Sequence, residues 1–189
     1  MRNTLVALLG VVLAVAAPAA QSNMGKPEKF TAFAVDISTM SPGARTTPVD
    51  LVINRWSTNE ERDRLLTVFR EKGQDGLLGE LQKLPVVGYI NTPGSLRYDL
   101  HFARQRPEPE GGRMIFLMTD RYIGAWEAAN RPRTIDYPFM LIQLQVDKSG
   151  NGVGKASIYT KITQTKDGTI ELENFANQPV MLTQVRKVE

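Results

Sequence analysis

Phe139 to Leu172 reads FMLIQLQVDKSGNGVGKASIYTKITQTKDGTIEL. The run Phe139–Leu144 is apolar on both faces, as expected of a strand covered on both sides. Val146 and Val153 flank Asp147-Lys148-Ser149-Gly150-Asn151-Gly152, whose Gly, Asn and Asp residues suit a hairpin loop. Ala156, Ile158, Thr160 and Ile162 continue the next strand, and Lys166-Asp167-Gly168 carries the Asp-Gly signal of a second tight turn. Ile170 and Leu172 then alternate with Glu171 and Glu173. Strands joined by such short turns pair antiparallel, so this stretch predicts a β-meander.

The pattern extends in both directions. Pro179 precedes a last strand through Val188, and Met114–Met118 (MIFLM) is a second run apolar on both faces. Leu96, Tyr98, Leu100 and Phe102 alternate with Arg97, Asp99, His101 and Ala103, which predicts a half-buried strand. Phe30–Ile37 and Val49–Trp56 predict two earlier strands. Between the early and late strands the period changes. Ser57 and Glu60 have capping-box spacing, Leu65, Leu66 and Phe69 share a helical face, and Gly73 is a stop. Leu77, Leu78, Leu81 and Leu84 form a second helical stripe that Pro85 ends, and 85–94 reads as a connection. The predicted fold is α+β and mainly β: an antiparallel sheet, sandwich or partly closed barrel of about eight strands, with a two-helix insertion after strand 2.

The N-terminal residues follow different rules. Met1-Arg2-Asn3 is a short basic start, Thr4–Ala17 is an apolar run, and Ala17-Pro18-Ala19 offers small residues for cleavage. This is the order of a secretory signal peptide, and the run is shorter than the roughly 20 residues that span a bilayer. The expected organisation is a signal peptide over 1–19, a polar spacer over 20–29 and one β-rich domain over 30–189. The expected location is periplasmic or secreted, without stable membrane insertion after cleavage. The chain has no cysteine, which excludes disulfides, thiol catalysis and thiolate metal sites. Its 23 Lys and Arg are mixed among 20 Asp and Glu, not the strongly basic balance of a nucleic-acid binder.

Three groups of residues are candidates for chemistry. His101, the only histidine, stands two residues from Asp99, so on a strand the pair would share a face and could orient an imidazole. No G-x-S-x-G elbow accompanies it, and Ser95 has no motif around it. Asp147, Ser149, Asn151 and Gly152 resemble the first half of a calcium loop, but Ile158 stands where a bidentate glutamate is required. No metal site and no cofactor are expected.

The densest polar cluster is Thr119–Tyr137, TDRYIGAWEAANRPRTIDY. Asp120 and Glu127 could act as paired carboxylates in a hydrolase. Arg121, Arg131 and Arg133, with Tyr122, Trp126 and Tyr137 among them, could instead hold a ligand. A third reading is that these charges pair with one another and pin the loop. The expected function is a non-enzymatic envelope module binding a small molecule or a partner protein. The alternatives are a carboxylate hydrolase acting on envelope material and a structural component of an envelope complex.

Arg55-Trp56-Ser57 leading into Glu60-Glu61-Arg62-Asp63, then Gly88-Tyr89-Ile90, Thr119-Asp120-Arg121, Asp136-Tyr137-Pro138-Phe139 and Glu173-Asn174-Phe175 resemble the pattern of a group of exported bacterial proteins of unknown function. The resemblance implies export and carries over no activity, ligand or catalytic residue.

Overall fold

The computed structural model describes residues 25–36, 45–94, 97–175 and 179–188. The expected signal peptide and Ser95 lie outside the described residues. The strands are β1 (Glu28–Asp36), β2 (Arg45–Ile53), β3 (Gly88–Asn91), β4 (Tyr98–Leu100), β5 (Phe102–Pro107), β6 (Arg113–Asp120), β7 (Phe139–Val146), β8 (Asn151–Gln164), β9 (Ile170–Asn174) and β10 (Val180–Val188). Helix α1 (Asn59–Leu81) follows β2, and the short α2 (Ala125–Asn130) with a 3-10 turn (Arg133–Asp136) joins β6 to β7.

All neighbouring strands pair antiparallel, in the order β4-β3-β2-β1-β10-β8-β7-β6-β5, with β9 added along β8. The two ends of that path are one piece of chain, because only His101 separates β4 from β5. The His101 N–H donates to the Met118 carbonyl at 3.2 Å, and Thr119 Oγ1 donates to the Asp99 carbonyl at 2.8 Å. The sheet therefore curls into a nearly closed barrel. With β4 and β5 taken as halves of one stave, the ring has eight staves, an even number that lets every pair run antiparallel.

A barrel of this size has an interior about as wide as the side chains that fill it. Phe30, Leu51, Ile53, Leu100, Ile115, Leu117, Ile142, Leu144, Leu182 and Val185 fill it here. The neighbouring stave β8 makes room with small residues. A Cβ on Gly154 would sit 2.6 Å from the Gln143 carbonyl oxygen and 2.7 Å from Leu144 Cδ2. Trp56, fully buried just past β2, closes the end where β2 finishes, and its Nε1–H donates to the Lys26 carbonyl at 3.2 Å. Residues 25–29 thus contribute to the domain, with β1 starting at Glu28.

The insertion lies outside the barrel. Gly73 (φ 66°, ψ −156°) breaks α1 into two helical segments, a conformation glycine adopts without steric cost. Leu65, Phe69, Leu77, Leu81 and Leu84 cover Phe139 and Ile162, with Phe102 and Met118 at the margin. The strands apolar on both faces follow in part from this: one face fills the barrel, and on the other Phe139 and Met118 meet the helix while Phe116 stays exposed. The capping box falls one residue later than the sequence suggests. Thr58 Oγ1 accepts from Glu61 N–H at 3.2 Å and Glu61 Oε2 accepts from Thr58 N–H at 2.9 Å. The Ser57 hydroxyl is instead buried and accepts the Ala103 N–H at 3.1 Å. Two further expectations change. The 85–94 connection contains β3, and the single strand expected over 96–103 is a stave interrupted at His101.

Two glycine substitutions separate packing from propensity. Gly154→Ala is expected to cost about 1–3 kcal/mol in urea unfolding, because its methyl overpacks the barrel wall. Gly79→Ala, with nothing within 4 Å of the added carbon, is expected to stabilise by about 0.4–1 kcal/mol through the unfolded chain.

Candidate ligand site at the open end of the barrel

At one end of the barrel β1, β3, β6 and β8 finish and β2, β4, β7 and β10 begin. The polar segment 121–138 crosses this end between β6 and β7, and Arg121 organises it. The Arg121 side chain is only 6 % exposed. Its Nε–H donates to the Tyr137 carbonyl at 3.0 Å. One terminal nitrogen donates to the Tyr122 carbonyl (3.1 Å) and Glu127 Oε2 (2.8 Å); the other donates to Glu127 Oε1 (2.6 Å) and the Thr134 carbonyl (3.0 Å). A guanidinium has five N–H donors, and all five are taken. Its face lies over the Tyr159 ring, 4.6 Å from the centroid.

Glu127 and Arg133 are paired as well. Glu127 accepts from Arg121 on both oxygens and from Thr134 Oγ1 at 2.6 Å. Hydrogen bonds from Arg121, then Thr134, hold its carboxyl down at about 2. Such a group stays ionised, so it cannot supply a proton as a general acid near neutral pH. Tyr137 is buried, packs edge-on against Phe175 at 5.3 Å, and its hydroxyl donates to Glu173, which raises its pKa. Arg133 is well exposed and reaches Glu173 at 3.8 Å. Arg131 adopts a left-handed conformation (φ 46°) that ends α2, its N–H donating to the Glu127 carbonyl at 2.8 Å. Trp126 and Tyr122 are 68 % and 73 % exposed, the two most exposed large apolar side chains among the described residues. In this geometry the charges pin the loop, and Arg121 has no donor left for a ligand.

The paired-acid candidates are not brought together as a catalytic unit. Asp99 Oδ1 accepts from Arg97 Nε at 3.1 Å, whereas His101 Nδ1–H donates to the Leu84 carbonyl at 2.9 Å. Asp120 accepts from Gln82 Nε2 at 2.9 Å, while Glu127 is enclosed by Arg121 and Thr134. Asp147 turns one oxygen back on its own loop, accepting from the Ser149 and Asn151 N–H groups at 2.8 and 3.0 Å. Among the described residues no group of three or more His, Asp and Glu side chains is placed to hold a metal.

A cavity of about 310 Å³ opens beside the pinned loop. Ile90, Met140 and Ile158 line it together with Tyr98, Tyr122, Tyr159, Thr92 and Arg121. Met140 belongs to the barrel core, and Ile90 and Tyr98 are half-buried against that same core. The cavity is therefore a mouth through which the core reaches the surface. An irregularity in the β7–β8 pairing, between Leu141–Ser157 and Phe139–Thr160, lies where β8 contributes Ile158 and Tyr159. A larger depression of about 740 Å³ lies at the opposite end, walled by turn residues that include Glu108, Glu110 and Lys148. Its walls carry Glu108, Glu110, Asp147 and Lys148 beside Pro109, Val146 and Val153, more charged groups than small-molecule sites usually have. Of the ligand-binding residues expected from sequence, only Arg121 and Tyr122 line the mouth. Ile90, Thr92, Tyr98, Met140, Ile158 and Tyr159 come from segments that carry no local motif.

No protein-family model matches the chain, and neither a curated protein nor a solved structure is significantly similar to it. No helix among the described residues is long and apolar enough to cross a membrane.

The Arg121–Glu127 pair sets a test of the pinning. Arg121→Met leaves Glu127 and three carbonyls without their donors and is expected to cost about 3–5 kcal/mol, with faster amide exchange over 122–137. Glu127→Gln tests the sign with pH. Because the folded carboxyl titrates near 2 instead of its ordinary 4.5, its contribution is complete above pH 4.5 and is lost as pH falls toward 2. The gap in urea midpoint between wild type and Glu127→Gln should be constant from pH 7 to 5 and close below that.

Proposed function

We propose that this protein is an exported, non-enzymatic binding module of the cell envelope, and that it holds a small, largely apolar ligand in the mouth of its barrel. The observation carrying this reading is that the barrel core continues into the mouth. Met140 forms part of the core and of the cavity lining, with Ile90 and Tyr98 beside it. Small-molecule sites are concave, mostly apolar with a few polar groups, and common at barrel mouths; at about 310 Å³ this cavity is near the lower end of their size range. Export rests on the sequence of residues 1–19, and a periplasmic or secreted location follows from it.

Hydrolysis draws no support from the geometry. The expected carboxylates are bonded to Arg97, Gln82 and Arg121, and His101 is bonded to a carbonyl. A structural role has no specific observation in its favour.

The test is a titration of residues 20–189 with N-phenyl-1-naphthylamine, whose fluorescence rises in apolar surroundings. Wild type is expected to bind it saturably. Ile158→Asp, at a partly exposed lining position, should weaken binding at least tenfold, while Val153→Asp on the outer wall should leave it unchanged. Equal binding by the two variants, or none by wild type, would reject the reading.

A further inference from the structure

The polar chemistry of the mouth narrows the ligand class, on the assumption that the mouth is the binding site. Tyr98 starts β4 and lines the cavity. Its hydroxyl oxygen accepts the Tyr122 N–H. A phenol that accepts in this way still has its own proton to donate, and no protein acceptor takes that proton among the described residues. Asp120, whose charge is felt at Tyr98, accepts from Gln82 instead. Burial pushes the Tyr98 pKa above its ordinary value, so the donor keeps its proton.

The electrostatics of the rim point the same way. The positive charge of Arg121 is neutralised by its two bonds to Glu127 and covered on one face by Tyr159. That leaves no cation with spare donors in the lining to receive a carboxylate or phosphate. A hydrogen-bond donor set beside Ile90, Met140 and Ile158 suits a molecule with an apolar body and an uncharged acceptor.

We infer that the mouth takes a neutral amphipathic molecule whose apolar body rests on Ile90, Met140 and Ile158 and whose carbonyl-type oxygen accepts the Tyr98 hydroxyl proton. Three tyrosines around one cavity also resemble a cage for a quaternary ammonium ion, and the experiment must separate that outcome.

The test is displacement of bound N-phenyl-1-naphthylamine by three probes that share a chain and differ in head: methyl decanoate, decanoate and decyltrimethylammonium, each kept below its micelle-forming concentration. The ester is expected to displace the dye at the lowest concentration. Tyr98→Phe is expected to weaken the ester about three- to tenfold, the worth of one neutral hydrogen bond, and to weaken the dye and the ammonium probe by less than that. Retained dye binding also shows that the variant is folded. Tightest binding by the carboxylate or the ammonium, or an ester affinity indifferent to Tyr98→Phe, would overturn this inference. In each of those cases continued dye binding would leave the apolar mouth intact, whereas loss of dye binding in wild type would remove both readings.

Discussion

The structure depends on one stave changing partners in mid-course. Tyr98–Leu100 pairs with β3, and after His101 the chain pairs with β6 through Phe102–Pro107. Thr119 and Met118 reach back to Asp99 and His101 across the junction. Without that switch the sheet would be open, with two long edges of unpaired backbone groups that invite association. With it, the path returns on itself and the apolar faces turn inward. The width of the resulting interior is set by the number of staves, and along its wall Gly154 must be small where Leu144 and the Gln143 backbone of the paired strand press against it.

The two ends of the barrel are treated differently. At one, Trp56 and the chain at Gly25–Lys26 close the core. At the other, Ile90, Tyr98, Ala34 and Val180 pack on the core while only partly covered. A long connection crosses that end, and its conformation is held from within by the five donors of Arg121. The polar cluster is thus a scaffold for the mouth more than its lining. Arg121 and Tyr122 contribute to both, and Trp126, Arg131 and Arg133 stay outward. A buried guanidinium with every donor engaged is costly to disturb, so the wall it supports is expected to be rigid.

The legibility of this fold in its sequence follows the range of the interactions. Hairpins such as Lys166-Asp167-Gly168, with Gly168 at φ 87°, are local chemistry and are readable. So are the break at Gly73 and the runs Met114–Met118 and Phe139–Leu144. The helix cap is displaced by one residue because Ala103, far along the chain, claims the Ser57 hydroxyl. β3 is hidden because it has four residues between proline and glycine signals, and Gly88 is there for close approach: a Cβ would lie 2.0 Å from the Val52 carbonyl oxygen. The break at His101 has no local signature. For the site, the charged loop is conspicuous in sequence, yet residue types alone do not separate internal pairing from ligand binding. The cavity lining is drawn from β3, β4, β7 and β8, which only the closed sheet brings together.

The central claim is that the core of the barrel is accessible at the end lined by Ile90, Met140 and Ile158. Methyl-resolved NMR of isoleucine and methionine side chains during titration with N-phenyl-1-naphthylamine tests it most directly. The predicted result is saturable shifts at Ile90, Ile158 and Met140, with Ile53, Ile115 and the outer-wall Met181 unmoved. Shifts centred on Met181 and Met114, or none at the three mouth residues at saturating probe, would contradict it.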